Sequence, residues 1–112
     1  MQNKPGIQTA VPQRRYKYGE FTVVVLGDIE SPDAVDYRYI VAVVRDGDPE
    51  PGVYLTCENG KGTQRIRLIM RDGAEVIAED PAYADLETFC AAGLDVLGQL
   101  LNLGDEEPYR LM

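Results

Sequence analysis

The stretch that decides the fold is "YLTCENGKGTQRIRL", residues 54–68. Two runs of alternating apolar and polar residues flank a glycine-rich loop, which is typical of a β-hairpin. A four-residue loop over 59–62 would pair Leu55 with Ile66 and put the apolar side chains of both strands on one face. A two-residue loop would set apolar residues opposite polar ones. Because the buried face sets the register, we expect the four-residue loop.

The opposite face of this hairpin carries the candidate binding residues. They are Tyr54, Arg65, Arg67 and Arg71. An arginine beside a tyrosine can stack on its ring, and such a face serves either as solvated surface or as a docking surface for an acidic partner. We expect exchange of the exposed arginines to leave stability nearly intact. A phosphate-binding loop is disfavoured, because that motif joins a strand to a helix with a different glycine spacing.

With the two hairpin strands included, the sequence predicts five strands and one helix. Runs rich in β-branched and aromatic residues predict strands over 16–26, 37–45, 53–58, 63–71 and 74–79. A period near 3.6 then predicts one helix of about 22 residues, starting at Asp80-Pro81 and ending at Gly104. Gly93 and Gly98 within it favour a close approach of helix to sheet, with Gly93 on the buried side.

This order of elements predicts an α+β fold. An antiparallel sheet of about five strands, either open or strongly curled, would be covered on one face by the single long C-terminal helix. Residues 1–15 hold prolines and a glycine without periodicity and are predicted to be a flexible N-terminal arm, followed by a single domain over 16–112.

Two predicted strands are apolar on both faces. "FTVVVL" (21–26) and "YIVAVV" (39–44) are apolar on both faces. Since one helix covers one side of a sheet, something else is expected to cover the other side, and a second copy is the simplest candidate. The sequence therefore predicts self-association, as a homodimer.

Charge and composition narrow the function classes. The 112 residues carry a net charge of −8, with +1 over 1–71 and −9 over 72–112. This acidity argues against nucleic-acid and membrane partners. There is no histidine and one serine, so no enzymatic activity, catalytic residue, metal or cofactor is predicted. Without a signal-like apolar segment, a cytoplasmic location is expected.

The two cysteines, Cys57 and Cys90, fall in apolar stripes of a strand and the helix. We expect two buried free thiols, with a disulfide between them as the alternative.

The sequence as a whole favours a small non-catalytic module that binds another protein or itself. The alternative is a regulatory domain that binds a small molecule between helix and sheet.

Overall fold

A computed structural model describes residues 4–112, which form one antiparallel sheet and two helical segments. The strands are β1 Thr9–Tyr18, β2 Phe21–Glu30, β3 Tyr37–Arg45, β4 Val53–Asn59, β5 Gln64–Met70, β6 Gly73–Glu79 and β7 Tyr109–Arg110. The helices are a 3₁₀ turn, Pro81–Ala84, and α1, Leu86–Leu100. Within the described range the strand order is β6-β5-β4-β3-β2-β1-β7, so the first six strands form a meander and β7 returns to the β1 edge.

The predicted α+β class is confirmed, but the strand count and the curl are not. The sheet has seven strands in the described residues, and it is open rather than clearly curled. The run predicted as one strand over 16–26 is a hairpin, because Tyr18 pairs with Phe21 across a two-residue turn. Gly19 opens that turn with φ +57°, a conformation that glycine adopts without steric cost.

The predicted flexible arm, residues 1–15, overlaps β1. Residues 1–3 lie outside the described residues, whereas extended pairing with β2 begins at Thr9, opposite Glu30. The polar, proline-containing composition hid this strand. Pro12 sits next to a register shift, where a missing N–H is tolerated.

The register of the opening hairpin differs from the prediction by one loop position. The loop has four residues but spans 60–63, so Asn59 pairs with Gln64 and Leu55 pairs with Leu68 rather than Ile66. A shift of two partner positions leaves every side chain on its predicted face. The following turn lies one position earlier than the strands predicted over 63–71 and 74–79 imply, since Met70 pairs with Gly73 across residues 71–72.

The predicted long helix is two segments. Asp80 caps only the 3₁₀ turn, and Asp85 then caps α1 by accepting a hydrogen bond from the Thr88 N–H. The end of α1 is a Schellman arrangement in which the Leu103 N–H donates to the Gly98 carbonyl at 2.8 Å. Asn102, with φ +56°, takes the left-handed position that Gly104 was expected to fill.

The core lies between α1 and one face of the sheet. Phe89 and Leu97 of α1 and Leu55 of β4 are fully buried there. Arg14 of β1 lies beside them, pairs with Glu87 of α1 and donates to the Tyr16 hydroxyl at 3.3 Å. This contact fixes β1 to the helix. None of the helices in residues 4–112 is long and apolar enough to cross a membrane.

Both cysteines are buried and unpaired in the structure, as expected. Burial raises the pKa of the Cys57 thiol to about 12 and raises the pKa of Cys90 as well. Both thiols are therefore kept in the protonated, unreactive form.

Candidate functional site

The candidate site is the face of the sheet that points away from α1, called here the second face. Side chains alternate along a strand, so residues between the core positions point to this face. Its central members are Arg15 of β1; Val24 and Leu26 of β2; Ile40, Ala42 and Val44 of β3; Tyr54, Thr56 and Glu58 of β4; and Arg65, Arg67 and Ile69 of β5.

The middle of the second face is apolar. An apolar strip crosses β2 and β3 and consists of Val24, Leu26, Ile40, Ala42 and Val44. Ile40 and Ala42 are buried, whereas the other three are half-buried, and none of the five belongs to the core cluster around α1. The strip is therefore a separate apolar surface on the opposite side of the sheet.

A carboxylate lies buried between the two arginines of β5. The side chain of Glu58 is 2% exposed, and its Oε1 is 3.2 Å from Arg67 Nη2 and 4.0 Å from Arg65 Nη2. Its other oxygen accepts a hydrogen bond from the Thr56 hydroxyl at 2.8 Å. These contacts place one negative and two positive side chains in a single cluster, called here the Glu58 cluster.

Two polar atoms of the Glu58 cluster are left without hydrogen bonds. Glu58 Oε1 and Arg67 Nε are both buried, and neither has a hydrogen-bond partner within residues 4–112. Arg67 Nη2 is near Oε1, but this contact is an ion pair without hydrogen-bond geometry. Buried polar atoms are nearly always hydrogen-bonded, so unpaired ones call for an explanation.

The four predicted site residues are only partly brought together. Arg65 and Arg67 both project from β5 onto the second face, as expected, and Arg67 pairs across strands with Thr56. Tyr54 lies on the same face but opposite Ile69, not opposite an arginine. Arg71 follows β5 in the turn to β6, two positions beyond Ile69.

The arginine–tyrosine stacking that was expected at Tyr54 is found instead between Arg38 and Tyr39. Arg38 lies over the ring of Tyr39 at 5.5 Å, and its Nε donates to the Ala84 carbonyl. Tyr54 is instead half-buried, and burial, with a further effect of Glu50, raises its pKa.

Glu58 is the residue that sequence reasoning missed. It ends an alternating series with Tyr54 and Thr56, and strand alternation therefore places it on the same face as the arginines. Its distance along the chain from Arg67 and its position next to the loop concealed the contact. Its presence also changes the stability expectation for Arg67, which is the ion partner of a buried carboxylate.

Asp33, in the connection between β2 and β3, binds the N-terminal segment to the start of β3. One oxygen of Asp33 accepts hydrogen bonds from the Gly6 N–H at 2.9 Å and from the Tyr37 hydroxyl at 2.7 Å. These bonds, led by the one from Gly6, lower the pKa of Asp33. Burial and the bond to Asp33 raise the pKa of Tyr37 above its ordinary value.

The described residues contain no cluster of three or more His, Cys, Asp or Glu side chains that could hold a metal ion. An open depression of about 270 Å³ lies at the β5–β6 turn, lined by Leu68, Met70 and residues 72–75. No residue of α1 lines it. A ligand between helix and sheet would have to displace fully buried side chains such as Phe89, and that alternative stays a prediction.

In comparisons with known proteins, no family model, no curated protein and no solved structure matches this chain. A functional assignment therefore depends on the geometry of the second face.

Proposed function

We propose that this protein is a non-catalytic binding module whose second face docks a partner segment that combines acidic and apolar side chains. The observation that carries the proposal is an apolar strip with basic residues on both sides. Arg15 lies beside it on β1, and Arg65 and Arg67 lie beyond it on β5. An extended segment matches this pattern when the side chains that face the sheet, every second residue, are acidic at both ends and apolar between.

The charge of the whole chain makes this basic face distinctive. The net charge of −8 is the sum of +1 from residues 1–71 and −9 from residues 72–112, the part that supplies β6, α1 and β7. The basic side chains on the second face are therefore a local exception to the negative charge of the protein as a whole. Complementary charge speeds encounter and fixes orientation, while the half-buried Val24, Leu26 and Val44 of the apolar strip have area left to bury.

A peptide titration tests the proposal directly. The probe is a peptide of about ten residues in which every second residue is leucine in the middle and glutamate towards both ends, and two control peptides carry glutamine or lysine in place of glutamate. Methyl NMR signals report the binding face, because β2 offers matched sets on its two faces. The methyls of Val24 and Leu26 should shift on binding, and those of Val23 and Val25, which face α1, should stay nearly unchanged.

Charge variants complete the test. Arg65→Gln should weaken binding of the glutamate peptide several-fold, because it removes a partly exposed cation from the second face. Arg45→Gln is the matched control, since Arg45 pairs with Glu20 on the other side of β3. Equal binding of the three peptides, or shifts confined to the methyls that face α1, would overturn the proposal.

Self-association through the same face is the second candidate, favoured by the half-buried Val24, Leu26 and Val44 on strands without a covering helix. Two copies placed face to face would bring their arginines together in either relative orientation. Salt should therefore strengthen self-association, whereas above about 0.1 M it should weaken binding of the glutamate peptide. Sedimentation velocity at about 100 μM in low and high salt distinguishes the two functions. A monomer at every salt concentration would remove the second candidate.

A further inference from the structure

We infer, on the basis of the docking function proposed above, that Glu58 is a built-in competitor that holds Arg67 until a partner carboxylate replaces it. In the free protein the guanidinium of Arg67 lies 3.2 Å from Glu58 Oε1. A bound partner would present one carboxylate to Arg67, and Arg65 would then replace Arg67 as the ion partner of Glu58. The second face therefore selects a partner with a single anchoring acidic group at this position.

The incomplete bonding of the Glu58 cluster is the first reason. Arg67 Nε has no acceptor within residues 4–112, and Glu58 Oε1 has no hydrogen bond there either. An arginine bonds a carboxylate most strongly through two parallel N–H donors. Arg67 forms no such pair with Glu58, so once Arg67 turns outward, a partner carboxylate in the plane of its guanidinium gains bonds that the free protein lacks.

The position of Arg65 is the second reason. Its Nη2 is already 4.0 Å from Glu58 Oε1, and its side chain is 45% exposed, so a small rotation brings it into contact. Arg65 also pairs across strands with Glu79 of β6, whereas Arg67 pairs with the apolar Val76. On β6, therefore, Arg67 has an apolar cross-strand neighbour and Arg65 an acidic one, and Glu58 is the carboxylate that pairs with Arg67 in the described residues.

The balance of charge is the third reason. Two arginines and one carboxylate leave the Glu58 cluster with one positive charge. Glu58 is 2% exposed and is held by the Thr56 hydroxyl, so it stays in place when Arg67 turns outward. One incoming carboxylate neutralises the remaining charge, and a second would meet the repulsion of Glu58.

The test uses the full chain and the same glutamate–leucine peptide. Glu58→Gln keeps the shape of the side chain and removes the competing charge, so it should tighten peptide binding at least about fivefold. Glu20→Gln is the matched control, because Glu20 pairs with Arg45 away from the second face and should leave binding unchanged. If the wild type binds and Glu58→Gln binds equally or more weakly, Glu58 has only a structural role and the inference fails, while the docking function stands.

A second measurement needs no variant and covers the case in which Glu58→Gln does not fold. The ¹⁵Nε–H signal of Arg67 in the wild type should shift and exchange more slowly with water when the peptide binds, since it gains an acceptor. The Arg45 signal serves as the internal reference. Peptide binding without any change at Arg67 would overturn the inference alone, and absence of peptide binding to either protein would overturn the docking function with it.

Discussion

Replacement of Gly98 by alanine tests how closely α1 packs against β1. This packing determines which face of the sheet α1 covers. A Gly→Ala change inside a helix gains about 1 kcal/mol of helix propensity. At Gly98, however, a Cβ would lie well inside the 3.4 Å at which ordinary contact with the Tyr18 hydroxyl begins. Tyr18 is 7% exposed and has little room to move, and overpacking of a core costs about 1–3 kcal/mol. We expect Gly98→Ala to be neutral or to destabilise by up to about 2 kcal/mol.

Gly93 provides the matched control on the same helix. A Cβ there would be 3.5 Å from Leu55 Cδ1, which is ordinary van der Waals contact. Gly93→Ala should therefore keep the helix gain and add part of a buried methyl, about 1–2 kcal/mol together. For a domain of this size, thermal unfolding should separate the two variants by at least roughly 4 °C in Tm.

A double variant identifies the cause. Tyr18→Phe removes the hydroxyl, and the nearest ring carbon, Cζ, lies 3.5 Å from the Gly98 Cβ position. Gly98→Ala should therefore become stabilising in the Tyr18→Phe background, with a coupling of about 1–3 kcal/mol. If Gly98→Ala stabilises the wild type as much as Gly93→Ala does, α1 does not lie on β1 as described.

Three further outcomes are expected. Both cysteines are buried, and burial raises the pKa of Cys57 to about 12, so both should react with iodoacetamide at about pH 8 far more slowly than they do in the denatured protein. Labelling of Cys57 at the denatured rate would contradict its burial. Asp33→Ala removes an acceptor whose pKa is lowered by folding, so it should cost under about 1 kcal/mol at pH 7. This difference should vanish as the pH falls through the lowered pKa and acid protonates the wild-type carboxyl, and a loss that persists in stronger acid would point to packing. Arg67→Ala should lower the free energy of unfolding in urea by about 3 kcal/mol, because it leaves the buried Glu58 carboxylate without its closest cation, whereas Arg65→Ala should cost under about 1 kcal/mol. Equal costs would show that Arg67 is not the principal partner of Glu58.

The faces of the strands could be predicted from the sequence, whereas their boundaries could not. Alternation has a period of two, so an error of two partner positions in the opening hairpin kept Leu55 on the core face and Arg67 on the second face. The hairpin at Gly19 was missed because β-forming residues continue on both sides of the turn. A single glycine that adopts a positive φ carries little signal beside them.

The Glu58 cluster could be predicted only in part, because it depends on cross-strand neighbours. The alternation in the sequence indicates that Arg65 and Arg67 share a face. The exact register, which places Glu58 opposite Arg65 and Thr56 opposite Arg67, comes only from the structure. The same limit applies to the helix. Asp80-Pro81 and Asp85 are both good starting signals, and only the packing of Tyr83 and Ala84 against the sheet makes the first a 3₁₀ turn.

Net charge and local charge act on an acidic partner over different distances, and this determines how salt should affect binding. The molecule extends 37 × 30 × 25 Å, and at about 0.01 M salt the screening length is about 30 Å. Under those conditions an acidic peptide responds to the whole protein, with its net charge of −8, and is repelled. At about 0.15 M the screening length is about 8 Å, so the peptide responds mainly to the arginines of the second face. The association rate of the glutamate–leucine peptide, measured by stopped-flow fluorescence, should therefore rise and then fall as salt increases. A rate that only falls from the lowest salt concentration would mean that the net charge plays no part in the encounter, and a rate that only rises would mean that the second face does not attract the peptide.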